Sequence, residues 1–442
     1  MLADFRPFRP WRYDMGKVAA EDVIAPPYDV ISTVEQDALY EKSPYNCIRL
    51  ILNKILESDS AQDSRYTRAR DFFNSWSAEG VLIQETKPCF YLYQQKFKGL
   101  ADGQEQSRSA FLGALHIEAF ENEVVIPHEN TLAKPRADRL ALLEATETNF
   151  SPIFGLFADA GGEVVSLLPE LTKAEPLFSV VDDAGITQTL WVIDQEKHIT
   201  KIQQSLSTQK VYIADGHHRY TTALNYGLKK REEAGNPSED LGSDFVYTAL
   251  VSFQDSGLAL MPTHRMLYGV AGFDLPKFKK ELAEYFDIVE AAPAQLQAKI
   301  DAAPESPSVF GLVISETEGY LLTLREVEKA RNAMLADKPE VWYSLDVNVL
   351  AYLVFKTLLG LSAADWENHL QFSHSDKDAL AAVREGNLQA AFLLKAPRVE
   401  VLSEMGEVRE LMPQKSTYFY PKLASGLLFF SHKGNSVAPQ KA

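Results

Sequence analysis

The chain has 442 residues, 46% hydrophobic and 24% charged, an ordinary globular composition with length for roughly two or three domains. Its net charge of −17, from 44 Lys+Arg against 61 Asp+Glu, argues against a general polyanion-binding surface, so nucleic acid is not an expected partner and any anionic ligand needs a local basic pocket. There is no apolar run of about 18 residues and no basic-apolar-small signal sequence, which points away from the membrane and toward the cytoplasm.

Taken in chain order, residues 1–105 read as a first α/β region. Arg6, Arg9 and Arg12 alternate with Phe5, Phe8 and Trp11, an arm expected to pack its aromatics on the body. Pro26-Pro27-Tyr28-Asp29 reads as a rigid turn in which a cis bond is plausible. Residues 46–52 (NCIRLIL) resemble a strand, 65–76 a helix and 89–96 a strand, with a hairpin-like break at 102–106. Cys47 and Cys89 are too few for a disulfide framework or a structural zinc site and read as buried small hydrophobes.

A middle region, 106–270, opens with a strand over 109–120. The polar turn His128-Glu129-Asn130-Thr131 follows, and then a helix begins at Lys134-Pro135-Arg136, where proline suits the first helical position. Arg136 and Arg139 lie three apart and share a face near that helix start, a candidate anion clamp. Strands are expected at 151–157, 177–182 and 190–193, and a helix at 195–206. Residues 244–253 and 258–267 read as a hairpin whose return strand carries His264-Arg265. The C-terminal region, 271–442, alternates helices (275–285, 294–302) and strands, places a core helix at 345–359, and returns to β character after 389, with Lys415-Ser416-Thr417 between apolar runs.

The densest chemistry lies at 210–228, KVYIADGHHRYTTALNYGL. Val211, Tyr212 and Ile213 read as a brief buried strand; Tyr220, Ala223, Leu224, Gly227 and Leu228 recur at the spacing of one helix face. Asp215, Gly216, His217, His218 and Arg219 therefore sit at a strand-to-helix turn. The first N–H groups of a helix lack internal partners and carry partial positive charge, so this is an anion site, most plausibly for phosphate. Asp215 would cap the helix or face the ligand, and Gly216 permits a tight turn or close approach. Adjacent helical side chains point about 100° apart, which makes one metal ion shared by both histidines awkward. Glu129 has the chemistry of a general base, with His128, Thr131, Lys134, Arg136 and Arg139 as phosphate contacts; a solvated charged loop is the other reading. His264, Arg265, Lys415, Ser416 and Thr417 are further candidates, against a buried hydrogen-bond network for the first pair and a hairpin turn for the rest. There is no GxxxxGK[ST], no GxGxxG and no kinase HRD or DFG set.

The IADGHHR stretch followed by Thr222-Ala223 resembles the phosphate-binding box of the ParB/sulfiredoxin superfamily, especially its free serine kinases. More of the chain resembles the bacterial family DUF1015, through APPYDVIS (25–32), IPHENTLAKPRADRL (126–140), SPIF (151–154), ADGHHRYTTAL, MPTHR (261–265) and MPQKSTYFYPKLASGL (412–427). The kinase resemblance implies a mixed α/β (α+β) fold: a ParB/sulfiredoxin-like core over 106–270 with a strand-turn-helix phosphate site, elaborated by N- and C-terminal α/β regions. It also implies a nucleotide-dependent phosphotransferase acting on free L-serine or O-phosphoserine, using ATP or ADP with Mg²⁺. Glu129 would be the base, Asp215 would position Mg²⁺ or substrate, and His217, His218 and Arg219 would neutralise the phosphate. A phosphoserine phosphatase and a non-enzymatic nucleotide-binding or ParB-like regulatory module are the alternatives, and the oligomeric state is open.

Overall fold

The computed structural model describes residues 2–60, 62–99, 103–130, 133–386, 388–434 and 436–439, without the side chains of 133–135. The chain folds as two units: Met1–Pro127, Thr131–Ala259 and Pro421–Ala442 form one, His128–Asn130 and Leu260–Tyr420 the other. These limits do not coincide with the expected divisions at 105/106 and 270/271. Both units mix helices and strands, as expected.

The first unit is built on a nine-stranded mixed sheet. Its strands are β1 (Phe5–Arg6), β2 (Phe90–Lys98), β3 (Glu105–His116), β4 (Val125–Ile126), β5 (Ile153–Phe157), β6 (Phe178–Val181), β7 (Thr187–Ile193), β8 (Val211–Asp215) and β9 (Phe245–Ser252). The order is β4-β8-β5-β9-β3-β2-β7-β6, with β1 paired to β3. Central β9 (FVYTALVS) is buried along its whole length and reads as a continuous apolar run, whereas edge strand β6 alternates half-buried and exposed residues. Four helices matter here: α1 (Arg65–Ala78), α2 (Ala133–Thr146), α3 (Glu196–Leu206) and α4 (His217–Glu233). On one sheet face Ile199, Ile202 and Leu206 of α3 and Tyr220 and Ala223 of α4 pack with Phe111, Ile153, Val211, Ile213 and Leu250. Leu228 was expected on that face but is 62% exposed; the stripe instead runs through Tyr220, Ala223, Tyr226 and Gly227. Phe5 stacks on Phe90 and Phe8 is fully buried, so the N-terminal arm packs its aromatics on the body as expected.

The second unit carries a six-stranded, wholly antiparallel sheet of β10 (His264–Leu267), β11 (Phe286–Glu290), β12 (Val309–Val313), β13 (Gly319–Leu324), β14 (Leu370–Ser373) and β15 (Ala390–Leu393), in the order β11-β13-β12-β15-β10-β14. Side chains alternate between two cores. Leu267, Phe310, Leu312 and Phe392 face one; Met266, Val309, Val313, Ala391 and Leu393 face the other with α6 (Pro293–Asp301) and α7 (Asp376–Arg384), α5 (Leu275–Leu282) lying on the first side.

Three expectations are corrected. Residues 46–52 form no strand; Ile48–Ile51 is a short helix with Ile48, Leu50 and Ile51 buried, and a short apolar run buried on every side has no periodicity to distinguish the two. Residues 244–253 and 258–267 make no hairpin, because β10 pairs with β14 and β15 in the other sheet. Pro26 and Pro27 are trans, the cis bond among the described residues being Ser306–Pro307. The core run expected as a helix at 345–359 is largely a π-helix, Val349–Leu358.

Candidate functional site

In the first unit β8 ends at Asp215, and Gly216 turns the chain into α4 with φ 96° and ψ 23°, a conformation that favours glycine. A Cβ at that position would also meet the Arg219 guanidinium at 3.0 Å. No side chain caps the helix start. Asp215 divides its carboxylate between two cations: Oδ1 accepts from Lys422 Nζ at 2.5 Å and Oδ2 from Arg219 Nη2 at 2.7 Å. Burial raises this carboxyl, but Lys422 and Arg219 outweigh it, so Asp215 is held well below the usual carboxylate range. Arg219 donates in addition to the carbonyl of Pro152, the residue just before β5. His217 is buried and its charge interaction with Asp215 adds to that lowering, while His218 next to it is half-buried, the divergence that adjacent helical positions dictate.

Arg139 of α2 donates Nε to Asp138 at 2.8 Å and Nη1 to the Ile51 carbonyl at 3.0 Å, and its guanidinium carbon lies 3.9 Å from the centre of the Tyr28 ring. The Arg136 carbonyl faces the Thr222 hydroxyl at 3.5 Å, joining α2 to α4. Thr131 and the side chain of Lys134 lie outside the described residues. Between these elements is a cavity of about 50 Å³ whose lining includes Tyr28, Arg139, Ser151, Arg219 and Thr222 among apolar side chains. A smaller hollow of about 10 Å³ shares Ser151 and Arg219 with it and reaches Asp215 and Lys422.

The second unit gathers the other candidates. Lys415 has φ 57°, and the next two N–H groups, of Ser416 and Thr417, each donate to Glu129 Oε1 at 2.9 Å; successive amides turned to one side in this way form an anion nest. The Thr417 hydroxyl adds a third bond to the same oxygen at 3.2 Å and lies 2.8 Å from His128 Nε2. The Arg265 guanidinium donates to the Thr263 and Lys415 carbonyls, the latter at 3.1 Å, and thereby ties β10 to the nest. Burial lowers Arg265 to about 10, with Glu129 acting against that effect. His264 is fully buried, accepts from the Leu394 N–H through Nδ1 at 3.2 Å, and is pushed by burial down to about 4. Three stretches singled out separately (128–129, 264–265 and 415–417) are thus neighbours, and the amides of Ser416 and Thr417 hold a carboxylate of the protein itself.

Asp215 does not suit a resident Mg²⁺, because both its oxygens already receive a cationic donor. Among the described residues no three of His, Cys, Asp or Glu cluster as metal ligands. Lys422, Tyr28 and Ser151 were not among the expected site residues. The only signal for them was that APPYDVIS, SPIF and YPKLASGL recur as family motifs, since neither periodicity nor charge marks a tyrosine in a proline turn or a lysine near the C-terminus.

The fold is that of a mixed α/β protein in which a strand-turn-helix element gathers Asp215, Arg219 and Lys422. The chain belongs to the family described as protein of unknown function DUF1015, whose model matches residues 5–348. No curated protein matches it. Distantly similar solved structures include free serine kinase in complex with AMP, 14% identical, covering 67% of this chain and 83% of that one at a TM-score of 0.32. A conserved hypothetical protein from Pyrococcus furiosus is 14% identical over 68% and 89% at 0.33, and SbnI with a C-terminal truncation from Staphylococcus aureus is 10% identical over 71% and 85% at 0.33. No helix is long and apolar enough to cross a membrane among the described residues.

Proposed function

We propose that the protein is a nucleotide-dependent phosphotransferase acting on a small hydroxyl substrate, free L-serine or O-phosphoserine, with ATP or ADP as the second substrate. The observation that carries this reading is the turn Asp215–Arg219, where a helix N-terminus, Arg219 and Lys422 surround a half-buried carboxylate that balances them. Phosphoryl transfer needs positioning and stabilisation of charge on the phosphoryl oxygens more than covalent chemistry, and these groups are of that kind. His217 and His218 add donors at the same helix start. Mg²⁺ would arrive with the nucleotide phosphates and not on Asp215.

Glu129 is the proposed base. A base must be oriented, and the amides of Ser416 and Thr417 and the Thr417 hydroxyl supply that orientation through one oxygen. The test is incubation with Mg²⁺, serine and ATP, or phosphoserine and ADP, following phosphoserine in both directions. Absence of turnover in every combination removes the reading, and phosphate release from phosphoserine without ADP would replace it with a phosphatase. Glu129→Gln is expected to lower turnover by about 10²-fold or more while leaving nucleotide affinity unchanged. Equal activity would mean that another residue is the base.

A further inference from the structure

The cavity beside Arg219 has an occupant class written into its lining. Its walls are mainly apolar, Leu142 among them, and are interrupted by the polar residues Tyr28, Arg139, Ser151, Arg219 and Thr222. Most of these polar groups are already engaged, Ser151 with Ser425 at 2.9 Å, Arg139 with Asp138 and Ile51, and Arg219 with Asp215 and Pro152. The Tyr28 hydroxyl, by contrast, has no hydrogen-bond partner among the described residues, while the Arg139 guanidinium carbon lies 3.9 Å from the centre of its ring. A phenol positioned by its ring and unspent at its hydroxyl is a donor for something outside the protein. Burial raises the Tyr28 phenol against the pull of Arg139 and Arg219, so it keeps its proton at neutral pH.

Size and charge narrow the guest. One water needs roughly 10–15 Å³ of such volume, so about 50 Å³ admits a group of a few heavy atoms and no nucleobase. Two guanidiniums and a phenol donor favour a compact planar anion.

We propose that this cavity is a carboxylate subsite, in which the Tyr28 hydroxyl and the Arg219 guanidinium hold the carboxylate of a small hydroxy or phospho acid whose phosphate lies at the Asp215–Arg219 turn. The proposal rests on the phosphotransferase reading only for the phosphate, and Tyr28 is then a binding residue that touches the ligand. It places the turn of residues 26–29 in the site.

The test is calorimetric titration of the whole chain with O-phosphoserine, phosphoethanolamine and inorganic phosphate, phosphoethanolamine differing from phosphoserine only by the carboxylate. Wild type is expected to prefer phosphoserine by about tenfold or more, the scale of a hydrogen bond to a charged group. Tyr28→Phe keeps the ring on Arg139 and removes only the hydroxyl; it should weaken phosphoserine about tenfold and leave the other two ligands unchanged. Equal affinity of wild type for phosphoserine and phosphoethanolamine, no binding of either, or equal losses for all three ligands in the variant would overturn the subsite. The wild-type comparison stands even if the variant fails to fold. Discrimination without phosphoryl transfer in the same preparation removes the transfer reading and keeps the subsite, whereas transfer without discrimination does the reverse.

Discussion

Asp215 was expected to cap a helix or face a ligand, and its contacts give it a different task. By pairing with Lys422 and Arg219 at once it allows two cations to sit side by side at a helix start that is itself positive. Asp215→Asn keeps the shape and removes the balance, leaving Lys422 and Arg219 to repel each other. For a pair that is largely but not wholly buried the expected loss is about 1–3 kcal/mol by urea unfolding, less at high salt. Added inorganic phosphate should restore stability to the variant more than it stabilises wild type, because an anion would supply the missing charge. A variant as stable as wild type at low salt would show that Asp215 does not balance the pair. At this scale Asp215, Gly216 and Arg219 were legible because their side-chain types converge within five positions. Lys422 was not, because it lies more than 200 positions away in sequence and only the fold brings it to Asp215.

At the scale of elements, strand-turn-helix β8–α4 could be read directly, since a buried apolar strand and a 3.6-residue stripe meet at a glycine. The same reasoning misjudged 244–267, where two strand-like runs close in sequence enter different sheets; hairpin signals record local spacing, and partner choice is made by the rest of the fold. Helix Val401–Glu407 was likewise missed inside a segment of β character. Close packing within the second unit gives a direct check on its architecture. At Gly311 of β12 an added Cβ would stand 3.1 Å from Ile300 Cδ1 and 3.2 Å from Leu296 Cβ, both on α6. Gly311→Val should therefore push α6 off the sheet at a cost of about 1–3 kcal/mol, measured as a lowered unfolding midpoint. An unchanged midpoint would mean that α6 does not pack as closely as described.

Across the whole molecule, two buried histidines contribute to acid sensitivity. Burial pushes His432 in the first unit down to about 3 and His264 in the second to about 4, against an ordinary value of 6.5. Both folded values are depressed, so the neutral forms contribute stability that is complete above about pH 6.5 and is lost as pH falls toward the folded values. In the second unit Asp346, raised by burial to about 6, works in the opposite sense, since it takes up a proton more readily when folded. In the first unit Asp255 is also raised by burial. Between pH 7.5 and 5 amide protection, taken relative to the intrinsic exchange rate at each pH, should therefore fall more around His432 than around His264. The reverse order would contradict these assignments. None of this balance was visible in composition, which counts histidines but not their surroundings.

The first unit is assembled from three separated pieces of chain, the last beginning at Pro421. A ribosome adding about 5–20 residues per second spends on the order of ten seconds or more on residues 260–420 before it makes that last piece. Throughout that interval Asp215 and Arg219 have been made but Lys422 has not, so in a nascent chain Asp215 lacks one of its two cationic partners. A chain halted within the second unit therefore carries Asp215 and Arg219 without the lysine that completes the trio.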